Sequence, residues 1–147
     1  MLDIDRFDHI GIRVSDKNQA VAFYESLGFV LVADGGFDAG HPLVMLHPSG
    51  ININLLGLAT AGGGSNILMD AADKYPGITH VALQVRDAAA AQRHIEDLGI
   101  AITGRRDFEG VQTIFIRDPD RNVLELVGPG PTVADLIVRH VGENQHA

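Results

Sequence analysis

The chain has 147 residues, 46% hydrophobic and 20% charged, the balance of a folded globular protein with room for one core. Its net charge of −8 repels phosphate and argues against a nucleic-acid surface, and the one adjacent basic pair, Arg105-Arg106, reads as a solvated loop. With no cysteine, disulfides and thiolate metal sites are excluded, so any metal must be held by nitrogen and oxygen ligands.

The N-terminus begins Met-Leu-Asp-Ile-Asp-Arg, with acid where a signal peptide carries base. No apolar stretch approaches the roughly 20 residues that cross a bilayer, so the cytoplasm is the expected location. Residues 8–14 alternate as a strand does. Asp16 is the expected N-cap of a helix over 17–27, which places Ala20, Tyr24 and Leu27 at helical spacing, and Gly28 stops it. A second strand is expected over 29–33, and residues 43–56 read as a hairpin turning at Pro48-Ser49-Gly50. Residues 58–77 form a linker with Gly62-Gly63-Gly64 near its start and a short helix expected at 66–74. The pattern then returns: strand 79–85, helix 88–98, Gly99, strand 100–104, and a hairpin of 111–117 and 122–127. Its turn spans Asp118 to Asn122. A C-terminal helix is expected after Pro131, capped by Thr132.

The return is a repeat. Shifted by 71 positions, DHIGIRVSDKNQAVAFYESLGF falls on THVALQVRDAAAAQRHIEDLGI without a gap. The same shift carries Phe37 onto Phe108, Pro48 onto Pro119 and Gly57 onto Gly128. The chain therefore reads as α+β: two βαβββ modules in tandem, about 5–57 and 78–129, forming one domain over 1–147 with a tail from 130.

Strand alternation gives each module an apolar face for its helix and an opposite face that is mixed. His9, Gly11 and Arg13 share the mixed face, as do Asn52 and Asn54, His80 and Gln84, and Glu125. A mixed sheet curled around a polar pocket accounts for that face. His9 shifted by 71 is His80, and Asn54 shifted by 71 is Glu125. Two imidazoles and a carboxylate at matched positions suit a divalent ion (Zn, Ni, Mn, Co or Fe) with open positions for substrate. His9, His80 and Glu125 are the expected ligands and Asn54 the fourth member of the set. Arg13, Asn52 and Gln84 are pocket candidates by parity. His47 is expected in a surface turn, His41 in a loop and His94 on the exposed side of its helix; His140 and His146 fall in the C-terminal segment.

The motifs DHIGIRV with FYESLGF, THVALQV with HIEDLGI, and DPDRNVLELVGP resemble those of the vicinal oxygen chelate superfamily over residues 5–129. That superfamily includes glyoxalase I, extradiol dioxygenases, methylmalonyl-CoA epimerase, and the fosfomycin- and bleomycin-resistance proteins. The resemblance implies a metal-dependent lyase or isomerase chelating a small oxygenated substrate through two adjacent oxygens. Glu125 would then serve as ligand and as proton carrier. It also implies a homodimer. Glyoxalase I has a glutamate where this chain has Asn54 and the epimerase has a glutamine; the shorter amide either ligates or bonds a metal-bound water. The two-His-one-Glu set also resembles the iron site of extradiol dioxygenases. A third reading is a metal-free protein that sequesters a ligand, as bleomycin-resistance members do.

Overall fold

A computed structural model describes residues 1–61 and 63–137. Gly62, His140 and His146 lie outside the described residues. The chain divides into two compact units, Met1–Thr79 with Asp118–Asn122, and His80–Arg117 with the chain from Val123 onward.

In the first unit, β1 (Ile10–Arg13), α1 (Lys17–Ser26), β2 (Val30–Asp34), β3 (Leu43–Leu46) and β4 (Asn52–Leu56) build an open sheet of order β1-β4-β3-β2. β5 (His80–Gln84), α2 (Ala88–Asp97), β6 (Gly104–Phe108), β7 (Val111–Arg117) and β8 (Val123–Val127) repeat it as β5-β8-β7-β6. The chain is thus α+β, as the periodicity predicts. The 71-residue shift maps α1 onto α2 and β4 onto β8 end for end. It preserves register too: β1 and β4 pair in parallel with Gly11 opposite Asn54, and β5 and β8 with Ala82 opposite Glu125.

Local chemistry explains why these segments fold alike. Asp16 accepts from the Gln19 amide at 2.8 Å and Asp87 from the Ala90 amide at 2.9 Å, so both helices start at an N-cap that satisfies an orphan donor. Both stop at a glycine in the left-handed region, Gly28 at φ 96° and Gly99 at φ 70°. Ala20, Tyr24 and Ile95 are buried against sheet faces carrying Leu43, Met45, Ile53 and Leu55 in the first unit and Leu124 and Leu126 in the second.

Three expectations need correction. The linker has no helix over 66–74; residues 67–70 form a turn closed by Asn66, whose side chain accepts from the Leu68 amide at 2.9 Å. The Asp70 carboxylate accepts from the Asn66 amide at 2.6 Å, so side chains satisfy this turn locally and compete with a helix. The strand expected at 100–104 lies at Gly104–Phe108, so Arg105-Arg106 is strand rather than solvated loop. Its sequence is polar because β6 is an edge, where charge blocks further pairing. A 3-10 turn over Phe37–Ala39 was not foreseen. The C-terminal helix does begin as expected, with residues 133–137 helical and Thr132 Oγ1 accepting from the Asp135 amide at 3.2 Å.

The turn Asp118–Asn122 connects β7 to β8 but is built into the first unit. Asp118 is buried, accepts from the Asp120 and Asn122 amides at 2.9 Å each, and receives the Tyr24 hydroxyl at 3.0 Å. Asp120 accepts from the Ser15 amide at 2.9 Å, and Asn122 Nδ2 donates to the Arg13 carbonyl at 3.1 Å. Burial pushes the Asp118 carboxyl above its ordinary value even though Asn122 and Tyr24 hydrogen bonds pull the other way. Burial and the Asp118 charge hold the Tyr24 phenol well above its usual range.

Tyr24→Phe removes one donor from a buried carboxylate and should cost about 1–2 kcal/mol by urea unfolding. For Asp118 the folded state binds its proton more readily than the unfolded chain. Its contribution is therefore complete below the unfolded carboxylate pKa and is lost as pH rises through the raised folded value. Relative to Asp118→Asn, the native chain should gain stability as pH falls from neutral toward about 4. A stability of the native chain that falls relative to Asp118→Asn on acidification contradicts the assignment.

Candidate functional site

The second unit assembles the clearest group. Glu125 sits mid-strand in β8, flanked in register by Ala82 of β5 and Phe115 of β7, and its residue exposure is 5%. A carboxylate this buried must be paired. His80 Nε2 lies 3.0 Å from Oε2, and the Arg106 guanidinium donates to Oε1 at 2.6 Å. Alternation explains the convergence: the ladder register puts Arg106, Thr113 and Val127 on one face, with Glu125 and Phe115 beside them. Arg105 points the other way and donates to Gln92 of α2 at 2.7 Å.

Of the expected ligands, the structure brings His80 and Glu125 together. His9 lies in the first unit, its Nδ1 2.6 Å from Asp8 Oδ1. That hydrogen bond pulls the exposed Asp8 carboxyl below its usual range. It also ties up one ring nitrogen and leaves Nε2 for a ligand, the arrangement that metal-binding imidazoles use. Among the described residues, no three His, Cys, Asp or Glu side chains gather closely enough to hold a metal ion. The pair in the second unit does fit one. Two donors bound to the same divalent ion at roughly 2.0–2.2 Å stand about 3 Å apart, which is the His80–Glu125 spacing. Arg106 on the other carboxylate oxygen would leave Glu125 one oxygen for an ion.

Two of the three pocket candidates reach backbone carbonyls. Arg13 Nη1 donates to the Gly57 carbonyl at 2.7 Å, and Gln84, its repeat equivalent, reaches toward the equivalent Gly128 carbonyl at 3.5 Å. Both positions thus hold the strand end that follows β4 or β8. Asn52 and Asn54 lie on the face opposite Ile53 and Leu55, and the Oδ1 of each is buried without a hydrogen-bond partner. His47 stands in the turn as expected, its Nδ1 2.7 Å from Ser49 Oγ, and His94 is exposed on α2. A cavity of about 270 Å³ lies on the α2 side of the second sheet, among Ala88, Ala91, Gln92, Arg105, Gln112 and Ile114. His80 and Glu125 face the opposite side.

Arg106 is the partner of Glu125 that the sequence does not reveal. Hydrophobic periodicity is silent in Gly-Arg-Arg-Asp-Phe. The signal that could have found it is the ladder: a strand ending in Phe108 before a tight turn at Glu109-Gly110 puts Arg106 opposite Thr113, on the face of Glu125.

The model of the Glyoxalase/Bleomycin resistance protein/Dioxygenase superfamily matches residues 6–126. The chain is 26% identical over 135 residues to a glyoxalase domain-containing protein, RDO1, of Mycosarcoma maydis, covering 85% of this chain and 69% of that protein. Its fold is similar to a glyoxalase family protein from Enterococcus faecalis, with TM-score 0.69, 22% identity, and coverage of 83% of this chain and 96% of the other. It is also similar in fold to the fosfomycin resistance protein FosX from Listeria monocytogenes, with TM-score 0.67, 17% identity, and coverage of 91% and 99%. The chain belongs to the glyoxalase/bleomycin resistance/dioxygenase, or vicinal oxygen chelate, superfamily.

If Arg106 compensates Glu125, Arg106→Met and Glu125→Gln should each destabilise, and the double variant should lose less than the sum. The coupling should be on the order of 1 kcal/mol, because the Arg106 side chain is half exposed and solvent screens it. Strict additivity in urea melts would show that the bond does not matter.

Proposed function

We propose that this chain is a divalent-metal-dependent enzyme of lyase or isomerase type, acting on a small oxygenated substrate as a homodimer. His9, His80 and Glu125 are its ligands. The observation that carries this reading is the His80–Glu125 pair: an imidazole 3.0 Å from a buried carboxylate, at positions the repeat matches to His9 and Asn54. A bound divalent ion supplies Lewis acidity toward two adjacent substrate oxygens. The chain's own part is to hold and move protons. Glu125 is the one carboxylate in the matched set, so proton transfer falls to it, and Arg106 holds that carboxylate in one orientation. Asn54 has no basic oxygen of that strength and cannot share the task, which separates this chain from ordinary glyoxalase I chemistry.

One observation favours a second reading. The His80–Glu125–Arg106 group already satisfies its own charges, as a metal-free protein that sequesters a ligand would require. Metal analysis of protein purified without chelators separates the two. The enzyme reading expects a stoichiometric divalent ion, lost on chelation and sharply reduced in His9→Ala, His80→Ala and Glu125→Gln. Metal content that stays the same in all three variants, or is absent throughout, overturns it. Iron with oxygen uptake on catechols would move the assignment to a dioxygenase.

A further inference from the structure

The two modules close the helix side of their sheets differently. In the first unit Phe37 is buried, and a Cβ on Gly57 would meet its ring at 2.7 Å. The repeat carries Phe37 onto Phe108, which stands with Arg106 on the other face of β6. No aromatic side chain lines the cavity of about 270 Å³ on the α2 side of the second sheet. Ala88, Ala91, Ile114 and Leu126 give it an apolar floor, and Arg105 and Asp107 give its rim two opposite charges. These two share the α2 face of β6, and neither is spent on the other. Arg105 donates to Gln92 at 2.7 Å and stands 3.7 Å from Glu96 Oε1, which also accepts from Gln92 at 2.8 Å. Asp107 Oδ1 accepts from the Gly110 amide at 3.1 Å. A guanidinium has five N–H donors and a carboxylate about four acceptor sites, so both groups keep capacity for a ligand.

We infer that this cavity is a binding site for a free α-amino acid with a small apolar side chain. A ligand bearing only an anion would set its charge against Asp107, and one bearing only a cation against Arg105. A neutral apolar molecule would cover both charges and pair neither. A zwitterion answers both: its carboxylate takes the free N–H groups of Arg105, and its ammonium donates to Asp107. Residues two apart on a strand lie roughly 6.5–7 Å from one another, and an α-amino acid carries both ions on one carbon, with its side chain free to enter the floor. Size agrees, since sites for drug-sized ligands begin at about 300 Å³ and this cavity is smaller. The site lies across the sheet from His80 and Glu125, within the second unit, and does not rest on the metal reading.

The test follows the methyl NMR signals of Ala91, Ile114 and Leu126 while four probes are titrated into the native chain. Leucine carries all three features; isocaproate lacks the ammonium, isoamylamine the carboxylate, and glycine the apolar side chain. Leucine should shift the three signals saturably, and each of the other probes should bind at least about tenfold more weakly, the loss of one charged or apolar contact. Arg105 and Asp107 are rim residues, so their variants should fold. Arg105→Met should weaken leucine about tenfold and leave isoamylamine unchanged; Asp107→Asn should weaken leucine by a similar factor and leave isocaproate no weaker. No saturable shift with leucine, equal binding of all four probes, or leucine binding unchanged in both variants would overturn the inference. Amino acids also chelate metal ions, so leucine is titrated into His80→Ala as well. Binding equal to that of the native chain is expected there, whether or not the metal reading holds; its loss would place the amino acid at His80 and overturn the inference.

Discussion

Glu125 is buried in the middle of a sheet, and a carboxylate there cannot stand alone. That constraint organises the second unit. β6 must continue far enough to deliver Arg106, the register with β7 must put Arg106 on the correct face, and β5 must present His80 at its first residue. A one-residue slip in any of these ladders would send the partner to the α2 side and leave the charge exposed to a low-dielectric interior. A satisfied ion pair is weak evidence of stability by itself, since apolar side chains of similar volume often serve as well.

The repeat gives the two modules one backbone and two chemistries. Caps, helix stops, parallel pairing and the carbonyl held by Arg13 or Gln84 recur at equivalent positions. The side chains on the mixed faces do not. The carboxylate of one module becomes an amide in the other, and a buried valine becomes a second amide. The hairpin tip breaks the symmetry further, because Asp118–Asn122 belongs to the first unit through Tyr24, Ser15 and Arg13. Glu125 lies three residues beyond that turn.

Much of this was legible before the structure. Asp16, Gly28, Asp87 and Gly99 mark helix ends by local chemistry that needs no tertiary context, and both helices fall within a residue of the expected bounds. Alternation assigned His80, Glu125, Asn52 and Asn54 to the mixed faces because β5, β8 and β4 carry strong apolar residues between them. β6 was misplaced because its residues are polar on both faces, which is how an edge strand reads. Arg106 was lost with it. The linker helix was an error of propensity: its residues tolerate helix, but Asn66 and Asp70 close a turn on each other first. No sequence rule gives Tyr24 to Asp118, 94 positions away. The family model agrees with the motif-level reading, and the similar folds agree with the α+β architecture.

The most direct measurement is anomalous diffraction from crystals grown with Mn²⁺ or Co²⁺. The account places the anomalous peak within bonding distance of His80 Nε2 and one oxygen of Glu125, with Arg106 still on the other oxygen. A peak elsewhere, or His80 and Glu125 still 3.0 Å apart around empty density at saturating metal, would contradict it.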